Sequence, residues 1–270
     1  MIVDIEKVSS AMVEVAALVI LPRFQKLSTH EIEEKSKGDF VTVADREAEE
    51  ALSPILKALA PGSIVIGEEA TAENPALLDQ AKGEGRIWFI DPIDGTSQFI
   101  DGKPDFATMI AYAESGEVRQ SAIYFPVSGE LFLAERGSGT TLRDDKGVHR
   151  LRVQTSEIDL KEARTSFHTR HYPASWGVRI GRLRANVSEV ENGLPSACQY
   201  TDLARGEMEL VVYHRMLPWD HAPGSLILHE AGGLARDLET GLDYRPSTLH
   251  GPHILAVSEE LWQAAKKVIS

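Results

Sequence analysis

The chain contains 270 residues, of which 43% are hydrophobic and 26% are charged, as in an ordinary globular protein that folds in water. This length accommodates one large layered domain or two halves that pack closely together. The net charge of −13 disfavours nucleic-acid binding through a broad basic face. The single cysteine, Cys198, excludes an internal disulfide and fits a reducing cytosol, and with no activating neighbour it is interpreted as a core residue rather than a nucleophile.

The sequence also argues against export and against a membrane location. Residues 1–6 lack a positively charged region followed by a long apolar one, so they do not form a signal peptide. The longest apolar stretch, Met12 to Leu21, contains Glu14 and is far shorter than a membrane span. We therefore expect a cytoplasmic protein that binds neither membrane nor nucleic acid.

The N-terminal part is predicted to form helices followed by an antiparallel meander. Apolar residues at three- and four-residue spacing predict an amphipathic helix over residues 2–26, broken or bent at Pro22. A short polar strand at 31–35, a second helix beginning at Asp45 and a buried strand at 64–66 follow. The period then changes to two, which predicts strands at 106–112, 118–125, 130–134, 140–143 and 148–153.

The C-terminal part is predicted to alternate helices and strands. Strands are expected at 163–167, 210–213 and 253–257, and helices at 174–184, 197–205, 220–230 and the C-terminus. Antiparallel strands first and α/β units later favour stacked layers of the α+β or α/β class. We predict two closely packed parts, residues 1–153 and 154–270, that form one compact unit.

The segment Asp-Pro-Ile-Asp-Gly at 91–95 is the most informative stretch of the chain. It follows the apolar run 87–90 and precedes Thr96 and Ser97. Pro92 biases Asp91 toward an extended conformation, so the two carboxylates should converge around a loop. The glycine then opens a helix whose first N–H groups can bind anionic oxygen. An ordinary turn would also use Asp, Pro and Gly, but it does not explain the second acid, and we favour metal-assisted phosphate-ester hydrolysis.

Three further acidic segments lie beside predicted strand ends or helix starts: Asp45, Glu68-Glu69 and Asp220. Hard carboxylate oxygens favour Mg²⁺ or Mn²⁺ over zinc. Each has a purely structural alternative, because Asp45 and Asp220 could be N-caps and the glutamates could be a solvated pair. Their combination with the 91–95 segment favours a metal site.

Other chemistries find little support in the sequence. His168 and His171 are three residues apart, but they fall in an arginine-rich loop where solvated side chains are expected. The chain contains no Gly-x-Ser-x-Gly elbow, no Gly-x-x-x-x-Gly-Lys loop and no Gly-x-Gly-x-x-Gly after a strand. Serine hydrolase, kinase and dehydrogenase functions are therefore disfavoured.

Several segments resemble the inositol monophosphatase family of magnesium-dependent, lithium-sensitive phosphatases. They are Lys-Gly-Asp-Phe-Val-Thr-Val-Ala-Asp at 37–45, Gly-Glu-Glu at 67–69, Trp-Phe-Ile-Asp-Pro-Ile-Asp-Gly-Thr at 88–96, Pro-Trp-Asp at 218–220 and Glu-Ala-Gly-Gly at 230–233. They occur in the family's order over most of the chain. The resemblance implies a five-layer α-β-α-β-α sandwich that is usually a homodimer.

The resemblance also implies ligands for two or three Mg²⁺ ions, which Mn²⁺ could replace and Li⁺ would inhibit. The implied metal ligands are Glu68, Asp91, the Ile93 carbonyl, Asp94 and Asp220. Thr96 paired with Asp45 would orient and deprotonate the attacking water, with Glu68 as the third catalytic residue. The candidate substrate contacts are Gly95, Thr96, Ser97, Tyr213, His214 and Asp220, and Lys35 or Lys37 could add positive charge.

The substrate remains open among an inositol-phosphate-like ester, a sugar phosphate, histidinol phosphate and a 3′-phosphonucleotide. Inositol-type members have a glutamate seven residues before the last metal aspartate, where this chain has Tyr213. This departure disfavours free inositol monophosphate. Four residues, His214, Arg215, Arg170 and His171, could bind a second anionic group or could be exposed loop residues.

We expect an Mg²⁺-dependent phosphatase that hydrolyses a small phosphorylated metabolite with a metal-activated water. The alternative is a protein that acts mainly by binding a protein partner such as the transcription machinery, as some bacterial members of the family do. The complete acid set favours the enzyme.

Overall fold

The structure, a computed structural model, describes residues 3–153, 158–168, 171–190 and 193–269. The first helical layer begins with α1 (Ile5–Val15), which a π-helical turn, Ala16–Ile20, extends toward Pro22. A hairpin of β1 (Ile32–Ser36) and β2 (Asp39–Thr42) then leads into α2 (Val43–Leu59). The predicted break near Pro22 is thus observed.

A seven-stranded sheet forms the centre of the N-terminal part. In chain order, the strands of this sheet and the two short helices between them are β3 (Ile64–Gly67), α3 (Glu68–Glu73), β4 (Arg86–Asp94), α4 (Thr96–Ile100), β5 (Ala107–Glu114), β6 (Glu117–Phe125), β7 (Glu130–Glu135), β8 (Gly139–Asp144) and β9 (Gly147–Leu151). The strands follow one another in chain order, and only β3 and β4 are parallel. The predicted meander is confirmed.

The C-terminal part supplies the remaining helices and a five-stranded sheet. Its elements are β10 (Arg164–Phe167), α5 (Gly177–Arg184), β11 (Ser188–Glu189), α6 (Ser196–Arg205), β12 (Leu210–Arg215), α7 (Pro218–Ala231), β13 (Leu234–Asp237), β14 (His250–Ala256) and α8 (Glu259–Ile269). The strand order is β11-β10-β12-β14-β13. Three short 3₁₀ helices (29–31, 75–82 and 174–176) complete the regular structure of the described residues.

The two faces of β4 show how the layers form. Trp88 and Ile90 belong to the core cluster with α1 and α2, whereas Ile87 and Phe89 belong to the cluster with α6 and α7. This alternation follows from the two-residue period of a strand. The apolar run 87–90 is continuous because both faces of β4 are buried. The helices α6 and α7 therefore separate the two sheets, and α5 and α8 pack together beyond the smaller sheet. The five-layer α-β-α-β-α sandwich is confirmed.

Two predicted helix starts are wrong. Helix α2 begins at Val43 with Thr42 as its N-cap, so Asp45 is the third helical residue. Helix α7 begins at Pro218, which suits the first position because proline has no N–H to leave unpaired. Asp220 is therefore inside the first turn rather than at the cap. Neither aspartate is an N-cap residue, although Asp45 completes a capping box by accepting a hydrogen bond from the N–H of Thr42.

The segment 91–95 also differs from the predicted loop. Strand β4 continues through Asp94, and its pairing with β5 shifts register between Asp91 and Asp94. The carbonyl of Pro92 accepts a hydrogen bond from the Thr108 hydroxyl at 2.8 Å, which anchors this irregularity to β5. A distortion inside the strand, rather than a loop, thus positions Asp91 and Asp94. Distortions of this kind often lie next to active sites.

Cys198 is buried, as expected for a core residue. No helix in the described ranges is long and apolar enough to cross a membrane. The boundary between residues 153 and 154 stays a prediction, and residues 154–157 lie outside the described part of the chain.

We expect Gly224→Ala to destabilise the fold by about 1–3 kcal/mol, because the core there is already close-packed. A Cβ at Gly224 in α7 would lie 2.1 Å from the Tyr200 ring of α6. Gly181→Ala in α5 is the matched control, since its Cβ would meet nothing within 4 Å. Urea unfolding should show a loss for the first variant and a gain of about 0.4–1 kcal/mol for the second. Equal unfolding midpoints would contradict the tight contact between α6 and α7.

Candidate active site

Three carboxylates from distant parts of the chain meet at one cleft. Glu68 is the first residue of α3, Asp91 lies in β4 and Asp220 lies in the first turn of α7. One carboxylate oxygen from each lies within 4.8 Å of the others, close enough to hold a metal ion together. The convergence of these three predicted ligands is therefore a feature of the fold.

The electrostatics of this triad fit a divalent cation. Burial raises the pKa of Asp91 well above its usual value, and the negative charges of Glu68, Asp94 and Asp220 raise it further. Burial and the neighbouring acids also raise the pKa of Asp220. Among the described residues, Asp91 Oδ1 is buried and finds no hydrogen-bond partner. A buried unpartnered oxygen inside a cluster of acids is the donor set that hard cations such as Mg²⁺ prefer.

Lys35 already neutralises part of this charge. Its Nζ lies 2.7 Å from Glu68 Oε1 and 3.1 Å from Glu69 Oε1, and only 18% of its side chain is exposed. Burial opposes the charge on this lysine, but the two glutamates outweigh it and raise the pKa of Lys35 above its ordinary value. Lys35 is therefore a member of the site rather than a solvent-facing residue.

Glu49 is a residue of the site that the sequence analysis missed. Its carboxylate accepts hydrogen bonds from the N–H groups of Glu69 and Ala70, both at 2.9 Å, and so caps the start of α3. A Cβ at Gly67 would lie 2.2 Å from the Glu49 carboxyl carbon, so only glycine permits this approach. The contact fixes the backbone that carries Glu68. The sequence feature that could have identified Glu49 is its position four residues after Asp45, which places both acids on the same face of α2.

Asp45 and Thr96 form the predicted pair. One oxygen of Asp45 accepts hydrogen bonds from the N–H (2.9 Å) and hydroxyl (2.6 Å) of Thr42. The other lies 3.3 Å from Thr96 Oγ1, which is also 3.1 Å from the Ile93 carbonyl. Burial raises the pKa of Asp45 to about 7, although its bonds to Thr42 act in the opposite direction. A group that titrates near neutrality suits proton transfer.

Asp94 links the two parts of the chain. Its carboxylate oxygens accept hydrogen bonds from the N–H groups of Ser196 (3.3 Å) and Ala197 (2.6 Å) at the start of α6. The N-cap residue of α6 is Pro195, which has no side-chain acceptor, so Asp94 takes that role from another element. Burial raises the pKa of Asp94 to about 6, and these hydrogen bonds oppose the rise. Asp94 lines the cleft but lies outside the compact triad.

The turn after β4 also faces the cleft. Gly95 has φ +91°, and a Cβ there would lie 2.6 Å from the Pro195 ring, so glycine is required at this position. Thr96 and Ser97 follow as the first residues of α4, and all three line the cleft. The predicted phosphate contacts therefore lie next to the acids.

The cleft has a volume of about 350 Å³, and its far wall differs from the acidic side. Tyr213, Arg215, His171 and His168 line this wall, and the His168 ring stacks on Tyr213 at a centroid distance of 4.4 Å. The expectation of a solvated His168 is wrong, because its ring stacks on Tyr213 and its Nε2 is buried. This burial lowers the pKa of His168 to about 4.

One predicted substrate contact lies away from the cleft. His214 is not among the lining residues, and its ring packs on Tyr172 at 4.8 Å. Successive side chains of a strand point to opposite faces, so Tyr213 and His214 of β12 cannot both face the cleft. Arg170, proposed for a second anionic group, lies outside the described residues.

The chain was compared with known proteins. The sequence model of the inositol monophosphatase family matches residues 2–270. A Nus factor SuhB of Vibrio cholerae is 31% identical, over 79% of this chain and 78% of that protein. A fructose-1,6-bisphosphatase/inositol-1-monophosphatase of Thermotoga maritima is 33% identical, over 76% of this chain and 74% of that protein. The crystal structure of the extragenic suppressor protein suhB from Bartonella henselae superposes with a TM-score of 0.80 over 98% of both chains, at 25% identity.

We expect Glu49→Gln to weaken Mg²⁺ binding about 10- to 100-fold, as loss of a residue that orients metal ligands typically does. Glutamine offers one acceptor oxygen, so one of the two N–H groups at the start of α3 loses its partner. Isothermal titration with Mg²⁺ measures the change, and Glu50→Gln, on an exposed position of the same helix, is the control. An unchanged affinity in Glu49→Gln would show that Glu49 does not position Glu68.

We expect Mg²⁺ affinity to be lower at about pH 6 than at about pH 8. The raised pKa values of Asp91, Asp94 and Asp220 mean that these groups hold protons as the pH falls, and a cation must displace those protons to bind. Titrations in two buffers with different ionisation enthalpies count the released protons. Equal affinity at both pH values, with no proton release, would contradict the proposed ligand set.

Proposed function

We propose that this chain, which belongs to the inositol monophosphatase family, is a phosphatase that hydrolyses small phosphate monoesters with a metal-activated water. The observation that carries the proposal is the meeting of Glu68, Asp91 and Asp220 in a cleft that Thr96 also lines, with Asp45 buried behind it at 3.3 Å from the Thr96 hydroxyl. Cation ligands and a proton acceptor linked through Thr96 are thus gathered in one place. A protein that only binds a partner has no need of that combination.

The residues that would hold the metal are Glu68, Asp91, the Ile93 carbonyl, Asp94 and Asp220. Their oxygen donors support Mg²⁺, in two or three sites, with Mn²⁺ as a substitute and Li⁺ as an inhibitor. When bound, the metal would lower the pKa of water and offset the charge of the phosphate.

The chain's own residues would bind the ester and move the proton. The Thr96 hydroxyl donates to Asp45 or to the Ile93 carbonyl, which leaves its oxygen free to accept a hydrogen bond from a water and so to orient it. Asp45, whose pKa lies near 7, would accept the proton of that water. The N–H groups of Gly95, Thr96 and Ser97 would bind phosphate oxygens at the start of α4, with Asp220 contacting the leaving group.

A second candidate function is binding to a protein partner such as the transcription machinery. The name of the Vibrio cholerae relative, a Nus factor, favours it. The net charge of −13 disfavours direct contact with RNA but not with a protein. In either case we propose a homodimer in the cytoplasm, a form that size-exclusion chromatography with light scattering would test.

We expect Asp94→Asn to lower phosphate release by orders of magnitude and to weaken its dependence on Mg²⁺. The change removes a negative charge from the cleft and one acceptor at the start of α6. The assay is phosphate release from a panel of esters, with and without Mg²⁺ and Li⁺. Lys37→Ala, an exposed position in the β1–β2 turn, is the control and should lose much less activity.

The same panel separates the two candidate functions. Release from none of the esters by the wild-type protein, in the presence of Mg²⁺ or Mn²⁺, would favour the binding role. Wild-type rates in Asp94→Asn, in a variant that melts at the wild-type temperature, would show that the metal assignment is wrong.

A further inference from the structure

The far wall of the cleft contains a column of three rings. Tyr200 and Tyr213 are nearly parallel, with an interplanar angle of 12° and centroids 6.4 Å apart. His168 continues the column on Tyr213, at 22° and 4.4 Å. Both tyrosines are buried, whereas His168 is half-buried and lines the cleft. The column therefore ends at the cleft, on His168.

Hydrogen bonds inside the wall hold this column in place. The Tyr213 hydroxyl donates to Gln199 Oε1 at 2.9 Å, and Gln199 Nε2 donates to the Ser166 hydroxyl at 3.0 Å. Gln199 is completely buried. Since the Tyr213 proton is committed to Gln199, this hydroxyl is not free to donate to a hydroxyl of a substrate. At this position the wall therefore offers the cleft a ring rather than a free hydroxyl, and Arg215 is the charged group beside it.

A second contact fixes the column from the side. The His221 ring meets Tyr213 edge-on at 4.6 Å. Its two nitrogens lie 3.1 Å from the Tyr200 hydroxyl and 3.0 Å from the Arg215 carbonyl. A ring held at both nitrogens cannot turn freely, so it limits the motion of Tyr213. The position of His168 is thereby set before any ligand arrives.

The chemistry of this wall differs from what a polyol needs. The acids that line the cleft are the metal-side residues and Asp39, the first residue of β2, and the described far wall contains no carboxylate. His168 is a neutral ring at pH 7, because burial lowers its pKa. Its Nε2 is buried and has no hydrogen-bond partner among the described residues. A flat neutral ring that is stacked on a second ring and borders the cleft suits another flat ring.

We propose that His168 is a specificity-determining residue, which favours phosphate esters whose alcohol carries a flat aromatic or heteroaromatic ring over esters of polyols. The ring of the alcohol extends the Tyr200–Tyr213–His168 column while its phosphate lies against the acids and Gly95. This inference rests on the proposed phosphatase function and names the substrate class for it. Aromatic stacking is worth about a two- to tenfold preference, expressed mainly in KM because it does not involve the reacting atoms.

The test compares benzyl phosphate with cyclohexylmethyl phosphate, two primary esters with the same number of carbons, of which only the first has a flat ring. We expect the wild-type protein to favour benzyl phosphate by about two- to tenfold in kcat/KM. His168→Leu should bring this ratio to about one, whereas His168→Phe, which keeps a flat ring, should retain it. Tyr213→Phe removes only the hydroxyl and should also retain it. Because each variant is judged by a ratio of two esters, a general loss of activity does not affect the result.

Binding of benzylphosphonate and cyclohexylmethylphosphonate, measured by isothermal titration in Mg²⁺, separates this inference from the proposed function. Tighter binding of the benzyl compound, lost in His168→Leu, supports the role of His168 even if no ester is hydrolysed and the phosphatase function fails. Hydrolysis of both esters with a ratio near one in the wild-type protein overturns the role of His168 and leaves the phosphatase function standing. An equal preference in the wild-type protein and in His168→Leu also overturns it, as does the absence of binding by both phosphonates.

Discussion

The repulsion among the carboxylates of the cleft is the constraint on which the rest of the structure depends. Glu68, Asp91 and Asp220 bring oxygens within 4.8 Å of one another. Burial and the neighbouring charges raise the pKa of Asp91 and of Asp220, so the ionised forms of these two aspartates are disfavoured. Such a cluster persists only if the surrounding backbone holds each acid in position. Each of the three is carried by a different element, and each element is anchored by contacts away from the cleft. The free energy of folding thus maintains a site that is electrostatically unfavourable without a cation.

The anchors are built from hydrogen bonds between acids and backbone N–H groups. Glu49 caps α3 and so fixes Glu68, while Asp94 caps α6 across the boundary of the two parts. Glycines at 67 and 95 permit these close approaches, since a Cβ at either would collide with Glu49 or Pro195. The acids therefore serve two purposes, because some could bind a cation while others hold the helices that carry them. This coupling explains why the cleft is formed by both parts of the chain and by neither alone.

The two sides of the cleft have different physical character. The acidic side is charged and close-packed against backbone, which suits the binding and activation of a phosphate group whatever alcohol carries it. The far wall contains a column of stacked rings in which the Tyr213 hydroxyl is bonded inside the protein, with Arg215 beside it. The hydrogen bonds that hold Glu68 and Asp94 in place involve Glu49 and the start of α6, and none of them comes from the column of rings.

The sequence by itself determined the acid set, the order of the strands in the meander and the stacking of layers, whereas the number of layers, five, came from the resemblance to a known family. The features that the sequence determined are local or periodic: the 91–95 segment is contiguous, and the continuous apolar run 87–90 indicates a strand that is buried on both faces. The first residues of the helices were harder to predict from the sequence, because Asp45 and Asp220 resemble N-caps. In the structure, the N-cap residues are Thr42 and Leu217. The resemblance to a known family supplied the pairing of Asp45 with Thr96, residues 51 positions apart.

Only the tertiary structure decided which side chains share the cleft. The role of Glu49 depends on α3 approaching α2, and the burial of His168 depends on β10 lying beside β12, contacts between residues far apart in the chain. Which of Tyr213 and His214 faces the cleft depends on the register of β12, since a shift of one residue would exchange the two side chains. Sequence patterns indicate which face of its own helix or strand a residue occupies. The positions of elements relative to one another arise from packing, and packing decided the wall that faces the substrate.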